Sequence, residues 1–121
     1  MSLGTRVDAG LAADIVEGIA RVVPLPPDAA GLRREAIVLR DAAGVLRAYL
    51  NRCQHLPIPL DSGSRAFFGP DGRFLVCKTH GASYQLDDGM CVAGPCIGRA
   101  LTALPLLLDG ERIGIVLDAG G

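Results

Sequence analysis

Apolar residues along this chain come in short runs, cut by glycine and proline before any of them reaches helical length. The run IARVVPL (19–25) predicts a strand that the turn PLPPD ends. REAIVLRD (34–41) alternates only weakly between apolar and polar. It leads through AAG (42–44) into VLRAYLN (45–51), and the pair predicts a β-hairpin. FFGPDGRFLVC (67–77) reads as strand, Pro-Asp-Gly turn and strand. ASYQL (82–86), DDG (87–89) and MCV (90–92) give a further hairpin. LPLLLDGERIGIVL (104–117) gives two strands around Asp109-Gly110, a favoured hairpin turn. Only the stretch near 8–18 has helical spacing, and Gly10 and Gly18 bracket it tightly.

These elements predict an all-β fold of about eight to ten short antiparallel strands, a small β-sandwich or barrel. The chain has 121 residues, the size of one domain, and 1–121 is expected to form a single unit. With 16 glycines and 8 prolines distributed throughout, no stretch stands out as a linker, repeat or low-complexity segment. Half of the residues are hydrophobic, so a small packed core is available.

Charge narrows the function classes. Twelve basic and 13 acidic residues give a net charge of −1. That balance supplies neither a basic footprint for nucleic acid nor a polybasic membrane anchor. The longest apolar run, LTALPLLL (101–108), falls far short of the roughly 20 residues of a spanning helix. Asp8, Asp14 and Glu17 interrupt the N-terminal segment, which has no apolar signal core. The expectation is a soluble, cytoplasmic protein with no membrane contact. Four cysteines in that setting suggest metal or redox chemistry before structural disulfides.

The chain has only two histidines, and each stands beside a cysteine. CQH places Cys53 and His55 in a proline-rich turn. After the intervening residues 56–76, CKTHG places Cys77 and His80 before Gly81. Two cysteines and two histidines suit tetrahedral zinc, but zinc ligands usually come as knuckles with two to four residues between them. Here each loop offers one thiolate and one imidazole, and the first pair has a single residue between its members. Such mixing suits a two-iron cluster, with both thiolates on one iron and both imidazoles on the other. A structural zinc module remains the alternative on the residues alone. Cys91 and Cys96 have no histidine at ligand spacing and read as free or structural thiols.

The pattern CQH…CKTHGA resembles the Rieske [2Fe–2S] signature, Cys-x-His with Cys-x-x-His. GPC (94–96) looks like the proline loop that covers the cluster in that family, and the order of strands and turns from about 19 to 117 is also similar. The resemblance implies a Rieske-like fold, with cluster-binding loops at roughly 50–97 inserted in a base β-domain. It implies that Cys53 and Cys77 bind one iron and His55 and His80 the other. Gly81 would allow backbone to approach the cluster, and Leu56, Pro57 and Pro95 would shield it. Two thiolates and two neutral imidazoles leave an oxidised core neutral, where four thiolates leave a dianion. Reduction is therefore easier, at about −150 to +300 mV against about −400 mV for the plant type.

High-potential members of the family, such as those of cytochrome bc complexes, add two loop cysteines joined in a disulfide; Ile58 and Thr79 stand at those positions here. They carry a serine where this chain has Ala82 and a tyrosine where it has Tyr84. The expected potential is thus in the lower part of the range, raised somewhat by Tyr84. A membrane-tethered quinol-oxidising subunit is disfavoured by the lack of an anchor. The catalytic subunit of an oxygenase needs a further His-containing iron site, for which no histidine is left. The resemblance then implies a non-enzymatic one-electron carrier, a Rieske ferredoxin working between a flavin reductase and an acceptor such as an oxygenase. A relay subunit within a multi-subunit oxidoreductase is the alternative.

Overall fold

The structure, a computed structural model, describes residues 5–27, 31, 34–52, 67–69, 72–77, 81–94 and 97–117. Nine strands run through the described residues. They are β1 (Thr5–Leu11), β2 (Arg21–Leu25), β3 (Arg34–Arg40), β4 (Leu46–Leu50), β5 (Phe74–Val76), β6 (Ser83–Gln85), β7 (Cys91–Ala93), β8 (Leu106–Asp109) and β9 (Arg112–Leu117). They form three antiparallel sheets in the orders β1-β9-β8, β2-β3-β4 and β5-β6-β7. The fold is all-β, as the sequence predicts.

β3 explains the weak alternation of its sequence. Ala36 and Val38 pack into one core cluster, with Ala9, Ile113 and Ile115 of the first sheet. Ile37 and Leu39 point the other way, into a second cluster with Leu75, Cys77, Tyr84 and Leu86 of the third sheet. All four of these β3 side chains are fully buried. A strand covered on both faces reads as a continuous apolar run. The middle sheet is therefore the platform on which the β5-β6-β7 sheet sits. Pro24 lies in β2 at the open edge of that platform, where a residue without an N–H discourages further strand pairing.

The chain passes from the third sheet to the first through 102–104. Leu50 N donates to the Thr102 carbonyl at 2.9 Å and Leu104 N to the Ala48 carbonyl at 2.9 Å, so this segment lies along β4. Pro105 follows, and the chain then turns into β8. In the β8–β9 hairpin Asp109 pairs with Arg112, so Gly110 and Glu111 form the two-residue loop. Gly110 takes the positive φ (63°) that such a loop needs. The strand expected at 67 is reduced to a single bridge, Phe68 to Leu75.

The helical spacing near 8–18 is not realised as a helix. Residues Thr5–Leu11 pair with β9, with a bulge between Asp8 and Gly10, and only a one-turn 3-10 helix follows at Ala12–Asp14. The bulge reconciles the two periods. It shifts the strand so that Ala9 and then Ile15 still reach the core. Arg40 fixes this entry segment by donating to the carbonyls of Ile15 (2.6 Å) and Ala12 (2.8 Å), and ties it to the β3–β4 turn through the Gly44 carbonyl (2.8 Å). In the β3–β4 turn, Asp41 accepts from the amides of Ala43 (2.9 Å) and Val45 (3.0 Å) and from Arg47 Nε (3.0 Å). Burial alone would raise its pKa. The Val45 amide, Arg47 and the Ala43 amide outweigh burial and hold the carboxyl below its usual value.

Tyr49 ties the platform to the third sheet. From β4 its hydroxyl donates to the buried Leu86 carbonyl at 2.7 Å. Its ring fills the space beneath Gly89, where a Cβ would come within 2.8 Å of the ring. Burial pushes the Tyr49 hydroxyl up to a pKa of about 12, so it stays a donor. Tyr49→Phe keeps the ring and leaves the carbonyl without its donor, and is expected to cost about 1–3 kcal/mol of unfolding free energy. Urea denaturation checks this: the midpoint falls while the slope is unchanged.

Candidate metal centre

β5 and β6 are joined by the turn on which the second Cys/His pair falls in the sequence. Cys77 follows directly on β5, is fully buried, and packs in the cluster that holds Leu75, Ala82 and Tyr84. Two bonds close the turn at its base. Cys77 N donates to the Ala82 carbonyl and Gly81 N to the Cys77 carbonyl, both at 2.8 Å. Gly81 has φ 74°, and among the described atoms nothing lies within 4 Å of where its Cβ would be. Its glycine is needed for backbone conformation rather than for space. Tyr84 sits in β6 opposite Leu75 on one side and Cys91 on the other, and is fully buried.

Of the residues the sequence singled out, Cys77, Gly81 and Tyr84 are thus brought together around one turn. Cys53, His55, Leu56, Pro57, His80, Pro95 and Cys96 lie outside the described residues, as do Ile58 and Thr79. Among the described residues no three His, Cys, Asp or Glu side chains converge on a point. Cys91 is buried, and its thiol donates to the Ala93 carbonyl at 3.2 Å.

Sequence reading missed Gly94. It has φ 91°, and a Cβ there would lie 2.8 Å from Ala82 Cα, 3.1 Å from Ala82 N and 3.3 Å from the Gly81 carbonyl oxygen. The segment opening the GPC stretch therefore rests backbone to backbone on the Cys77–Ala82 turn. The signal available was the glycine placed directly before Pro95. An open groove lined by Glu17, Arg40, Asp41, Arg47, Phe74 and Asp87 lies at the opposite end of β5 and β6. Its Arg40 and Asp41 are engaged in holding the β3–β4 turn and the entry segment.

A buried cysteine at the head of a closed turn, with Gly94 set tightly against the Ala82 backbone, suits a metal centre in which one sulfur ligand would be kept from water. Fold and turn together define a small all-β metal-binding domain. The chain belongs to the Rieske [2Fe-2S] domain family, whose family model matches residues 20–106. That family binds a Rieske-type [2Fe–2S] cluster. The described residues fit such a group: Cys77 is a buried thiol of the donor type such a cluster needs, and it would serve as one of its ligands.

The oxygenase component of chloroacetanilide N-alkylformylase from Rhizorhabdus wittichii is 41% identical over 64 residues, which are 53% of this chain and 17% of that protein. A structure of the reduced complex between oxygenase and ferredoxin in carbazole 1,9a-dioxygenase matches with a TM-score of 0.72 at 21% identity, over 96% of this chain and 29% of that one. A chain in the complex of reduced oxygenase and oxidized ferredoxin in carbazole 1,9a-dioxygenase matches with a TM-score of 0.68 at 21% identity, over 92% of both chains. The structural likenesses show the fold. This chain spans less than a third of the first two of these relatives. No described helix is long and apolar enough to cross a membrane.

Proposed function

We propose that this chain carries single electrons on a Rieske cluster held by Cys53, His55, Cys77 and His80, passing them from a flavin reductase to an acceptor such as an oxygenase component. When bound, the cluster supplies one-electron chemistry at a potential above that of all-thiolate ferredoxins. The protein does the rest. Cys77, fixed on the end of β5 in the core, holds a thiolate away from water. Gly81, whose amide donates to the Cys77 carbonyl, fixes the backbone that directly follows His80 in the sequence. An imidazole there offers its second nitrogen to solvent or a partner, so it can take up or release a proton as the metal's charge changes. The redox encounter is expected to be small and short-lived.

The observation that carries this reading is the family match across both Cys/His pairs, with Cys77 buried at the head of a closed turn. It is supported by the neighbour of similar length found in an oxygenase–ferredoxin complex. The test is EPR on dithionite-reduced protein, with iron and sulfide counted on the same sample. A rhombic signal from equal iron and sulfide is expected. Zinc in place of iron, after anaerobic purification and reconstitution, would refute the assignment. The 41% identity to an oxygenase component favours a second reading, in which the same centre is the electron-entry domain of a longer oxygenase chain. The mass of the native polypeptide from its source cells separates the two.

A further inference from the structure

We infer that Asp109–Gly110, at the tip of the β8–β9 hairpin, is a modification site. The backbone there rearranges to isoaspartate, and the product is a substrate for a carboxyl methyltransferase that uses S-adenosylmethionine. The inference is independent of the metal centre.

The rearrangement needs no catalyst. The Gly110 nitrogen attacks Cγ of the Asp109 carboxyl and a C–N bond forms. The amide proton and the carboxyl OH leave together as water. Water then reopens the succinimide ring. Cleavage at the Cγ carbonyl restores aspartate. Cleavage at the α-carbonyl leaves the main chain running through Cβ and Cγ, with the α-carboxylate free. Nothing is oxidised or reduced. The methyltransferase moves the sulfonium methyl of S-adenosylmethionine to that carboxylate and releases S-adenosylhomocysteine. The first step requires a glycine nitrogen free of other bonds, a carboxyl free to turn, and room for a ring.

The chain has three Asp-Gly pairs, at 71–72, 88–89 and 109–110, and Asp71 lies outside the described residues. Asp109–Gly110 meets every requirement. The Asp109 side chain is 85% exposed, and its ion pair with Arg6, at 4.0 Å, is too exposed to hold it firmly. The Gly110 amide has no hydrogen-bond partner among the described residues. Nothing described lies within 4 Å of where its Cβ would be. Exposed loop tips of this kind open locally at little cost.

Asp88–Gly89 is the same dipeptide in the opposite setting. Asp88 Oδ1 accepts from the Met90 amide at 2.9 Å. Gly89 N donates to the Gln85 carbonyl at 3.0 Å, and the Gly89 carbonyl accepts from Leu101 N at 2.9 Å. A Cβ on Gly89 would lie 2.8 Å from the Tyr49 ring and 3.3 Å from Leu101 Cβ, so a ring has no room to form. The fold, not the dipeptide, therefore selects residue 109. The damage falls on the first sheet. One extra backbone carbon enters a two-residue loop whose length sets the Asp109–Arg112 and Leu108–Ile113 register. Cys77 lies in the other core cluster.

The experiment ages the whole chain at neutral pH and physiological temperature, folded and in urea. Labelled methyl transfer from S-adenosylmethionine, catalysed by a methyltransferase specific for isoaspartate, counts the product. Electron-transfer fragmentation of the peptides locates it. Each site is compared with its own yield in urea. In the folded protein, residue 109 is expected to exceed residue 88 by about tenfold or more, the factor one well-made amide hydrogen bond supplies. Asp109→Glu keeps the charge but would have to close a larger, slower ring, and the signal at 109 is expected to vanish. Equal relative yields at the two sites would overturn the proposal. So would a folded protein without isoaspartate at 109 when the chain in urea accumulates it there.

Discussion

Cys77→Ala is expected to yield a folded, colourless protein with iron and sulfide at background, whereas Cys91→Ala keeps its colour. The two cysteines make a fair pair because both are buried in the same core cluster. Removing one sulfur atom from such a site costs about 1 kcal/mol in either case, too little to unfold a domain by itself. What separates them is chemistry. Cys77 lies at the head of the closed turn, at ligand spacing from His80. Cys91 spends its thiol on the Ala93 carbonyl. The loss at Cys77 also reaches stability, because a group bound by the native state alone contributes its binding free energy to folding. The melting temperature of Cys77→Ala should therefore fall to a few degrees below that of the wild-type apoprotein, the remaining difference being about 1 kcal/mol of lost packing. Full iron content in Cys77→Ala would remove this residue from the ligand set. Loss of iron in Cys91→Ala as well would show that the core, rather than the ligand, holds the cluster.

The two Cys/His pairs stand out in the sequence because each is a local pattern. A cysteine and a histidine one or two residues apart, twice, in a chain with no other histidine, needs no knowledge of tertiary contacts to be noticed. The hairpins were legible for a related reason: their turns carry glycine and aspartate where the backbone requires them, as at Gly110 and Asp41. β1 was not. Its alternation is short, Val7 and Ala9 inward against Asp8 outward, and the bulge at Asp8/Gly10 breaks the period before it can be recognised. Two of the structural determinants of the site were also hidden. Tyr49 reaches Leu86 across 37 positions of sequence, and Gly94 meets Ala82 as the next pair beyond Ser83 and Ala93 in the β6–β7 hairpin. No local pattern marks Tyr49, and for Gly94 the signal was only its place directly before Pro95. β3 lies between these cases: its weak alternation was visible, and its cause, burial on both faces, becomes clear only when the third sheet is placed on the second.

Ala82→Ser is expected to raise the reduction potential by about 60 mV, and Tyr84→Phe to lower it by a similar amount. A hydrogen bond donated to a cluster sulfur is stronger when the cluster carries the extra electron. If one bond favours the reduced state by about tenfold, a one-electron couple moves by about 59 mV. Both positions are suited to such a test. Ala82 is fully buried, its carbonyl is fixed by the Cys77 amide, and Gly94 covers its backbone, so a serine hydroxyl there is shut off from water. Tyr84 is equally buried, in the strand that leaves the turn. Stability separates the possible outcomes at 82. A serine that finds the cluster shifts the potential and leaves the melting temperature of the holoprotein near wild type. A serine that finds no acceptor there is a buried, unsatisfied hydroxyl, which costs about 1–3 kcal/mol and leaves the potential unmoved. The second result, together with an unchanged potential in Tyr84→Phe, would mean that the potential is set by solvent access and ligand charge rather than by hydrogen bonds from these two positions.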